Sequence, residues 1–184
     1  MVGAGSGRSI INARGLAYGI YIDGIDAPKP RLSNVSVTGF TIENAQFEGI
    51  YITNASFGLP GVAMHSHTPG QILNDNVIVG NQISGNGADT ADAATPGPAG
   101  INVFGVSTVT GTVISGNSIQ GEDDDIVTNT SGEVAIHFNN LLGGKLGVNN
   151  LGGGAVDATE NWWGNGKGPG AWWRHIDRRK WDHL

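Results

Sequence analysis

Three copies of one eight-residue pattern decide the fold. They read VTGFTIEN (37–44), IVGNQISG (78–85) and ISGNSIQG (114–121). In each copy a glycine at the third position separates two short runs in which apolar and polar residues alternate. Such alternation is typical of strands that bury one face, and strands this short bury enough apolar surface only when copies pack against one another. The pattern therefore predicts short strands stacked as repeats.

A second repeated block extends the pattern along most of the chain. GIYI occurs at 19–22 and again at 49–52, and GINV follows at 100–103. A looser fourth copy of the first pattern, HFNNLLGG, occupies 137–144. The repeats cover residues 9–156 in units of roughly 22 to 25 residues, which is a length typical of solenoid repeats.

Aligning the copies places residues of one chemical kind in columns. The columns are Phe40, Asn81, Asn117 and Asn140; then Ile42, Ile83, Ile119 and Leu142; then Ile20, Ile50, Ile101, Ile126 and Val148. In parallel strands the members of one column lie about 4.8 Å apart. We expect apolar ladders inside and asparagine ladders at the corners, because asparagine tolerates the left-handed backbone region and its amide can bond to the rungs above and below.

Composition supports a folded, strand-rich chain. The 184 residues include 31 glycines and 7 prolines without a three-residue period, which excludes collagen. The apolar share of 39% is too high for a disordered chain. The absence of cysteine excludes a disulfide framework and a thiolate metal site.

The distribution of charge excludes several partners. No lysine or arginine occurs between Arg31 and Lys145, and the net charge is -6. Nucleic acid binding depends on such cations, so we expect no nucleic acid partner, and an acidic membrane surface is disfavoured for the same reason. No apolar run approaches the ~18 residues of a membrane span, so we expect no membrane insertion. The first residues, MVGAGSG, contain no recognisable export signal; an excised fragment is one interpretation of such a start, so a cytoplasmic location does not follow.

The segment DATENWWGNGKGP (157–169) carries a family resemblance. It is similar to the DATxNWWGxxxGP closing element of secreted right-handed parallel β-helix proteins, the pectate-lyase-like proteins of bacterial carbohydrate-active systems. The resemblance implies an all-β fold, a right-handed solenoid of about five or six coils, and an extracellular or cell-surface location. It does not imply one activity, because the family includes lyases, hydrolases and adhesins.

We predict two parts, a β-helix over 1–170 and a C-terminal segment over 171–184. The segment places Trp173, Ile176, either Lys180 or Trp181, and Leu184 at helical spacing, which predicts a short amphipathic helix. A solenoid end needs a cap, and capping is the preferred interpretation. An appended segment and a partner-binding or membrane-surface helix remain alternatives. Within the β-helix, Trp162 and Trp163 are expected to close the core, and segments 57–73 and 87–98 to form loops.

The acidic turn GEDDD (121–125) holds the candidate catalytic residues. Asp123, Asp124 and Asp125 could supply the acid and base of glycoside hydrolysis, or could bind Ca²⁺; a solvated turn is the third alternative. The turn resembles the Gly-Asp-Asp element of polygalacturonase-type hydrolases, but their Asn-Thr-Asp, Gly-His-Gly and Arg-Ile-Lys elements do not occur here. A lyase would need a cationic base, and the middle repeats contain none.

Tyr21 and Tyr51 are the candidate substrate-binding residues. They share one repeat register and alternate with inward isoleucines, so they are expected to lie side by side on an outer face. Aromatic rings in a row can stack on the apolar faces of sugars, whereas a plain cross-strand pair is the alternative. His65 and His67 have no identifiable third ligand, and His137 is expected to be exposed, so no metal site is assigned to histidines.

These features predict a secreted or cell-surface β-helix module associated with carbohydrate binding, monomeric, without identifiable catalytic machinery and without a cofactor beyond the Ca²⁺ alternative. A polysaccharide or glycan is the expected partner. A glycoside hydrolase or lyase acting through residues 122–125 is the alternative, so the residues alone do not decide whether the protein is an enzyme.

Overall fold

The computed structural model describes residues 1–24, 31–54, 72–87, 98–105 and 109–169. Within these residues the protein is all-β, with strands, turns and bends and no helix. The all-β prediction is confirmed for this part of the chain. The predicted helical cap, 171–184, and most of the two predicted loops lie outside the described residues.

The strands are short, most of them three to six residues long. They are β1 (Ile10–Asn12), β2 (Tyr18–Asp23), β3 (Arg31–Ser33), β4 (Ser36–Thr38), β5 (Thr41–Glu43), β6 (Glu48–Thr53), β7 (Ile72–Asn74), β8 (Val77–Val79), β9 (Gln82–Ser84), β10 (Ala99–Phe104), β11 (Val109–Thr110), β12 (Thr112–Ser115), β13 (Ser118–Gln120), β14 (Asp124–Asn129), β15 (Val134–His137), β16 (Asn140–Leu142), β17 (Leu146–Asn150) and β18 (Val156–Asp157).

The strands form four sheets in which the paired strands run parallel. Sheet 1 has the order β1-β5-β9-β13-β16, sheet 2 β2-β6-β10-β14-β17, sheet 3 β3-β7-β11, and sheet 4 β4-β8-β12-β15-β18. Strands consecutive in the chain therefore lie in different sheets, and each strand pairs with the equivalent strand of the next repeat. The chain visits the sheets in one cyclic order, which builds the core from ladders; among the described strands the last two cycles omit sheet 3.

The core ladders follow the predicted columns, except at the last member of the sheet 1 column. Ile20, Ile50, Ile101, Ile126 and Val148 are paired in register along sheet 2, and Ile42, Ile83 and Ile119 along sheet 1. All of these side chains are buried in one apolar cluster. Burying each isoleucine contributes roughly 1.5–3 kcal/mol, which is why the alternation in the sequence specifies the register.

The predicted alignment of the fourth copy was wrong by one residue. Ile119 pairs with Leu141 rather than Leu142, and Leu141 is the buried one of the two. The asparagine of the corner is correspondingly Asn139 rather than Asn140. The reason lies at Phe138, whose φ of 58° places it at the left-handed turn position that Gly80 and Gly116 occupy in earlier copies. The sequence comparison missed the shift because this turn residue is not a glycine.

The corner between sheets 4 and 1, here the first corner, is built on an asparagine ladder of Asn81, Asn117, Asn139 and Asn161. The Oδ1 atom of Asn117 accepts hydrogen bonds from the backbone N–H of Asn81, at 3.0 Å, and from its Nδ2, at 3.1 Å. Asn139 does the same for Asn117 at 2.9 and 3.0 Å. The predicted ladder and its amide bonding from rung to rung are confirmed. The expected backbone conformation was wrong, because the left-handed residue is the one before each asparagine.

Candidate functional site

The three aspartates of the acidic turn do not converge. The carboxylate of Asp123 is exposed to solvent and its Oδ2 lies 2.8 Å from the Lys145 Nζ. Asp124 is half-buried and accepts a hydrogen bond of 2.8 Å from the Asn149 Nδ2. Asp125 is fully buried. The turn therefore does not present the three side chains as one solvent-facing carboxylate group.

Asp125 occupies a position that is glycine in the other repeats, namely Gly19, Gly49, Gly100 and Gly147. A β-carbon on Gly49 would lie 2.8 Å from the Ile83 Cγ2, and one on Gly100 would lie 2.6 Å from the Ile119 Cγ2. The position therefore faces the interior, and in the fourth of these strands, β14, it carries a carboxyl group instead of a hydrogen atom.

The environment of the Asp125 carboxyl group is unusual. The side chain is 0% exposed, and neither carboxylate oxygen has a hydrogen-bond partner among the described residues. Burial, with a smaller effect from the negative charge of Asp124, raises the pKa of Asp125 to about 7. A buried carboxyl group without partners is costly, since desolvation is not offset by hydrogen bonds.

Glu122 is the second buried carboxyl group of the turn, and the sequence-based reasoning did not select it. It is 5% exposed, and its Oε1 accepts a hydrogen bond of 3.1 Å from the Asn86 Nδ2. Its Oε2 has no partner among the described residues. Burial raises the pKa of Glu122 to about 8 in spite of the hydrogen bonds from Asn86, and the charge of Asp125 raises it further. The sequence offered one indication of this role, because Glu122 directly follows Gly121 as Asn86 directly follows Gly85.

The outer face of sheet 2 carries the tyrosine cluster, defined as Tyr18, Tyr21 and Tyr51. The ring centroids of Tyr18 and Tyr51 are 4.9 Å apart, those of Tyr18 and Tyr21 5.3 Å, and those of Tyr21 and Tyr51 5.6 Å. All three pairs are stacked, with interplanar angles of 30°, 15° and 25°. The expected pairing of Tyr21 with Tyr51 is confirmed, and Tyr18 is an additional member.

Exposure differs sharply within the cluster. Tyr21 is 43% exposed, whereas Tyr51 is 2% exposed even though it is not part of the apolar core. Burial raises the pKa of the Tyr51 phenol, so this hydroxyl group stays protonated. The pattern of alternation alone would turn Tyr18 inward. Gly19 turns inward instead, which brings Tyr18 to the same face as Tyr21.

Polar side chains continue this face beyond the tyrosine cluster. Glu48 pairs in register with Tyr18, and its Oε1 accepts a 3.0 Å hydrogen bond from the Asn102 Nδ2. Glu48 and Asn102 are both fully buried. Two strands further on, Asp124 and Asn149 form the second carboxylate–amide pair. Sheet 2 contains no lysine or arginine among its described strands.

The remaining predicted residues fall outside this face. Trp163 packs against the core as expected, but Trp162 is 48% exposed and does not close it. His137, expected to be exposed, is partly buried, with its Nδ1 atom 3.1 Å from the Thr159 carbonyl oxygen. His65 and His67 lie outside the described residues. In the described part of the chain, no three His, Asp or Glu side chains are grouped so that they could hold a metal ion.

The arrangement offers stacked aromatic rings beside carboxylate and amide groups. Such a combination can pack on the apolar face of a ligand ring and hydrogen-bond to its hydroxyl groups. The part of the chain that the structure describes contains no helix with the length and hydropathy of a membrane span. In comparisons with family models, curated proteins and solved structures, nothing matches this chain.

Proposed function

We propose that this chain is a carbohydrate-binding module that binds its ligand on the outer face of sheet 2. The tyrosine cluster is the observation that carries the proposal. Tyr21 presents 43% of its surface while its ring stacks on both neighbours, at 5.3 Å from Tyr18 and 5.6 Å from Tyr51. An aromatic side chain held in this way loses little conformational entropy when a sugar ring packs on it.

The charge of the face favours a neutral polysaccharide over a uronate polymer. Glu48 and Asp124 lie on the face, and no lysine or arginine occurs in the described strands of sheet 2. A uronate carboxylate would meet like charge without a lysine or arginine of these strands to compensate it, which is unfavourable for binding. Hydroxyl groups of a neutral sugar can instead donate hydrogen bonds to the half-buried Asp124 carboxylate.

We further infer that the repeats are about five or six coils of a right-handed parallel β-helix. The cyclic visiting of the four sheets and the in-register ladders support this inference. Parallel strands joined by crossovers are right-handed in nearly all proteins. The resemblance of 157–169 to the closing element of secreted β-helix proteins supports the same fold and a location outside the cell or at its surface. Light scattering after size-exclusion chromatography tests the proposed monomeric state.

The decisive experiment is affinity electrophoresis of the full chain in gels that contain xylan, mixed-linkage β-glucan, galactomannan or polygalacturonate. Retardation is expected with at least one neutral polysaccharide, with weaker or no retardation by polygalacturonate. Tyr21→Ala should abolish most of the retardation, whereas Trp162→Ala, which removes another exposed aromatic side chain, should leave it unchanged. Absence of retardation by the whole panel, or equal loss in both variants, would contradict the proposal.

A glycoside hydrolase is the second candidate, and Asp124 is the observation that favours it. Partial burial, more than the charge of Asp123, raises the pKa of Asp124, as is required of a catalytic acid, and Asp124 lies on the same face as the tyrosine cluster. Glu48 lies in the same column two strands away, at a backbone separation of about 9.6 Å, but its side chain is fully buried, so Asp124 is the member of this pair that a substrate can reach.

Release of reducing sugar from the same polysaccharides tests this candidate. An enzyme acting through this pair should lose most of its activity on Asp124→Asn and keep it on Asp123→Asn, which removes an exposed carboxylate beside it. If the unmodified chain releases no reducing sugar, the hydrolase candidate is rejected and the binding module remains.

A further inference from the structure

The corner between sheets 1 and 2, here the second corner, is formed by Ala45, Asn86, Glu122 and Gly144. Each follows a residue with positive φ, namely Asn44, Gly85, Gly121 and Gly143. The backbone therefore repeats the geometry of the asparagine ladder. Asn86 fulfils the same role, since its Oδ1 accepts the backbone N–H of Ala45 at 2.9 Å. At the next two rungs the asparagine is replaced by Glu122 and then by Gly144.

Several oxygen atoms gather where the ladder lacks a side chain. A β-carbon on Gly144 would lie 2.9 Å from the Asp125 Oδ1, 3.0 Å from the Leu146 carbonyl oxygen and 3.2 Å from the Asp123 carbonyl oxygen. The three oxygens therefore surround one small region beside Gly144. Any residue other than glycine would direct its side chain into this region.

The two carboxyl groups at this corner have no counter-charge among the described residues. Neither Glu122 nor Asp125 forms an ion pair within the part of the chain that the structure describes. Lys145, the nearest cation in sequence, is exposed and pairs with Asp123 instead. Three oxygens of the two groups, the Glu122 Oε2 and both oxygens of Asp125, also lack hydrogen-bond partners among the described residues. Buried carboxylates are otherwise paired or bound to metal ions.

We propose that the second corner is a binding site for a hard divalent cation of the Ca²⁺ class. Glu122 and Asp125 supply the charged ligands, and the carbonyl oxygen of Leu146 supplies a neutral one. The Asp123 carbonyl oxygen is not counted as a ligand, because it already accepts the backbone N–H groups of Lys145 and Leu146. All of these donors are oxygens, which suit Ca²⁺ or Mg²⁺ and not the nitrogen and sulfur preferences of Zn²⁺. The flexible coordination of Ca²⁺ favours it over Mg²⁺, which requires a near-ideal octahedron.

We expect a bound cation to stabilise the fold. A bound cation would join the start of β14 to the start of β17, because its ligands come from Glu122 and Asp125 and from Leu146. The tyrosine cluster contributes none of these ligands, so cation binding and carbohydrate binding can be tested separately.

The test measures the thermal unfolding of the full chain, stripped with EDTA and then titrated with CaCl₂ or MgCl₂ alone at pH 8. We expect Ca²⁺ to raise Tm by about 5 °C or more at saturation, with a smaller effect of Mg²⁺. Calorimetric titration should give binding of one Ca²⁺ in the range found for extracellular modules, about 10⁻⁴–10⁻³ M.

Three variants sharpen the test. The double variant Glu122→Gln with Asp125→Asn keeps shape and hydrogen bonding but removes both charges, and it should lose the Ca²⁺ response. Gly144→Ala leaves every charge in place and adds a methyl group among the oxygens, so it should weaken binding at least tenfold. Asp123→Asn removes an exposed carboxylate of the same turn and should bind as the unmodified chain does.

Several outcomes would overturn the proposal. The absence of a Ca²⁺ or Mg²⁺ effect at about 10 mM, a concentration above the range for weak extracellular sites, would show that the corner is uncharged or hydrated instead. If Ca²⁺ still raises the Tm of the double variant, or if Asp123→Asn loses the Ca²⁺ response to the same extent as the double variant, the cation binds at the exposed part of the turn instead. If either the double variant or Gly144→Ala fails to fold, the other one decides the question.

Discussion

The two corners share one backbone geometry and differ in their chemistry. In both, a residue with positive φ precedes the rung. The first corner carries asparagine at four successive rungs, whereas the second carries Asn86, Glu122 and Gly144. The first corner is a continuous chain of hydrogen bonds. The second leaves carboxyl oxygens buried without partners among the described residues.

The difference shows what an asparagine contributes to a stacked turn. An amide both donates and accepts, so each rung satisfies the rung below and offers its own groups to the rung above. An ionised carboxylate only accepts, and glycine has no side chain to offer. A ladder whose side chain changes from an amide to a carboxyl group and then to none is therefore less stable at that corner. It also leaves a region where oxygen atoms can bind another group, such as a cation.

Breaking the first corner should have the largest effect. Asn117→Ala removes hydrogen bonds to the Ile78 and Ser115 carbonyl oxygens and leaves the buried N–H of Asn81 without its acceptor. We expect the free energy of unfolding to fall by about 3–5 kcal/mol, measured by urea denaturation. Gln82→Ala, at an exposed position of the next strand, is the control. A loss below about 1 kcal/mol would show that the ladder is not a main source of stability.

The second corner should give the protein an unusual dependence on pH. The pKa values of Glu122 and Asp125 are raised by burial to about 8 and about 7, whereas carboxyl groups of an unfolded chain titrate near pH 4. The folded state therefore holds protons that the unfolded state releases. In the presence of EDTA their contribution to stability should be complete below about pH 4 and be lost, by a few kcal/mol, as pH rises through 7 to 8.

The matched variant for this prediction is Glu122→Gln combined with Asp125→Asn. It should remove most of the loss of stability between pH 5 and 8, because neither side chain can then ionise. Urea denaturation across this pH range is the measurement. A slope equal to that of the unmodified chain would mean that other groups, such as Asp124, cause the effect.

The left-handed turn of the first corner offers a comparison within one column. Gly116 has a φ of 64°, and a side chain there requires a conformation that L-residues rarely adopt. Gly116→Ala should lower the free energy of unfolding by about 1 kcal/mol. Thermal unfolding checks this, with Ser131→Ala as an exposed control. An unchanged Tm would show that the turn tolerates β-carbons.

The smallest effect is expected one repeat later, at Phe138. This side chain is exposed and has a φ of 58°, so it carries the strain that Gly116 avoids. Phe138→Gly should raise the free energy of unfolding by about 0.5 kcal/mol, since relief of strain exceeds the added entropy of the unfolded chain. A fall in Tm would instead indicate that the ring of Phe138 stabilises the turn through contacts, for example with His137 at 6.2 Å.

Most of the ladder register could be predicted, and most of the site could not. Columns such as Ile42, Ile83 and Ile119 are visible because one buried face per strand repeats with a period of two residues. The last copy was misaligned where Phe138 replaces the expected glycine. Within the acidic turn, four adjacent acidic residues look alike in sequence. Their directions differ because Asp125 lies at an inward position of β14, whereas Asp123 pairs with Lys145.

The sequence by itself determined that short parallel strands stack, which faces they bury, and that the middle repeats lack cations. These properties follow from local alternation, from repetition and from composition, which do not depend on knowing what lies opposite each residue. Only the tertiary structure decided that Glu122 continues a ladder with Asn86, 36 residues away, and that three tyrosines stack on one face. Such contacts form between residues of successive repeats. Insertions and one-residue shifts change which residues meet, so local alternation alone does not identify the partners.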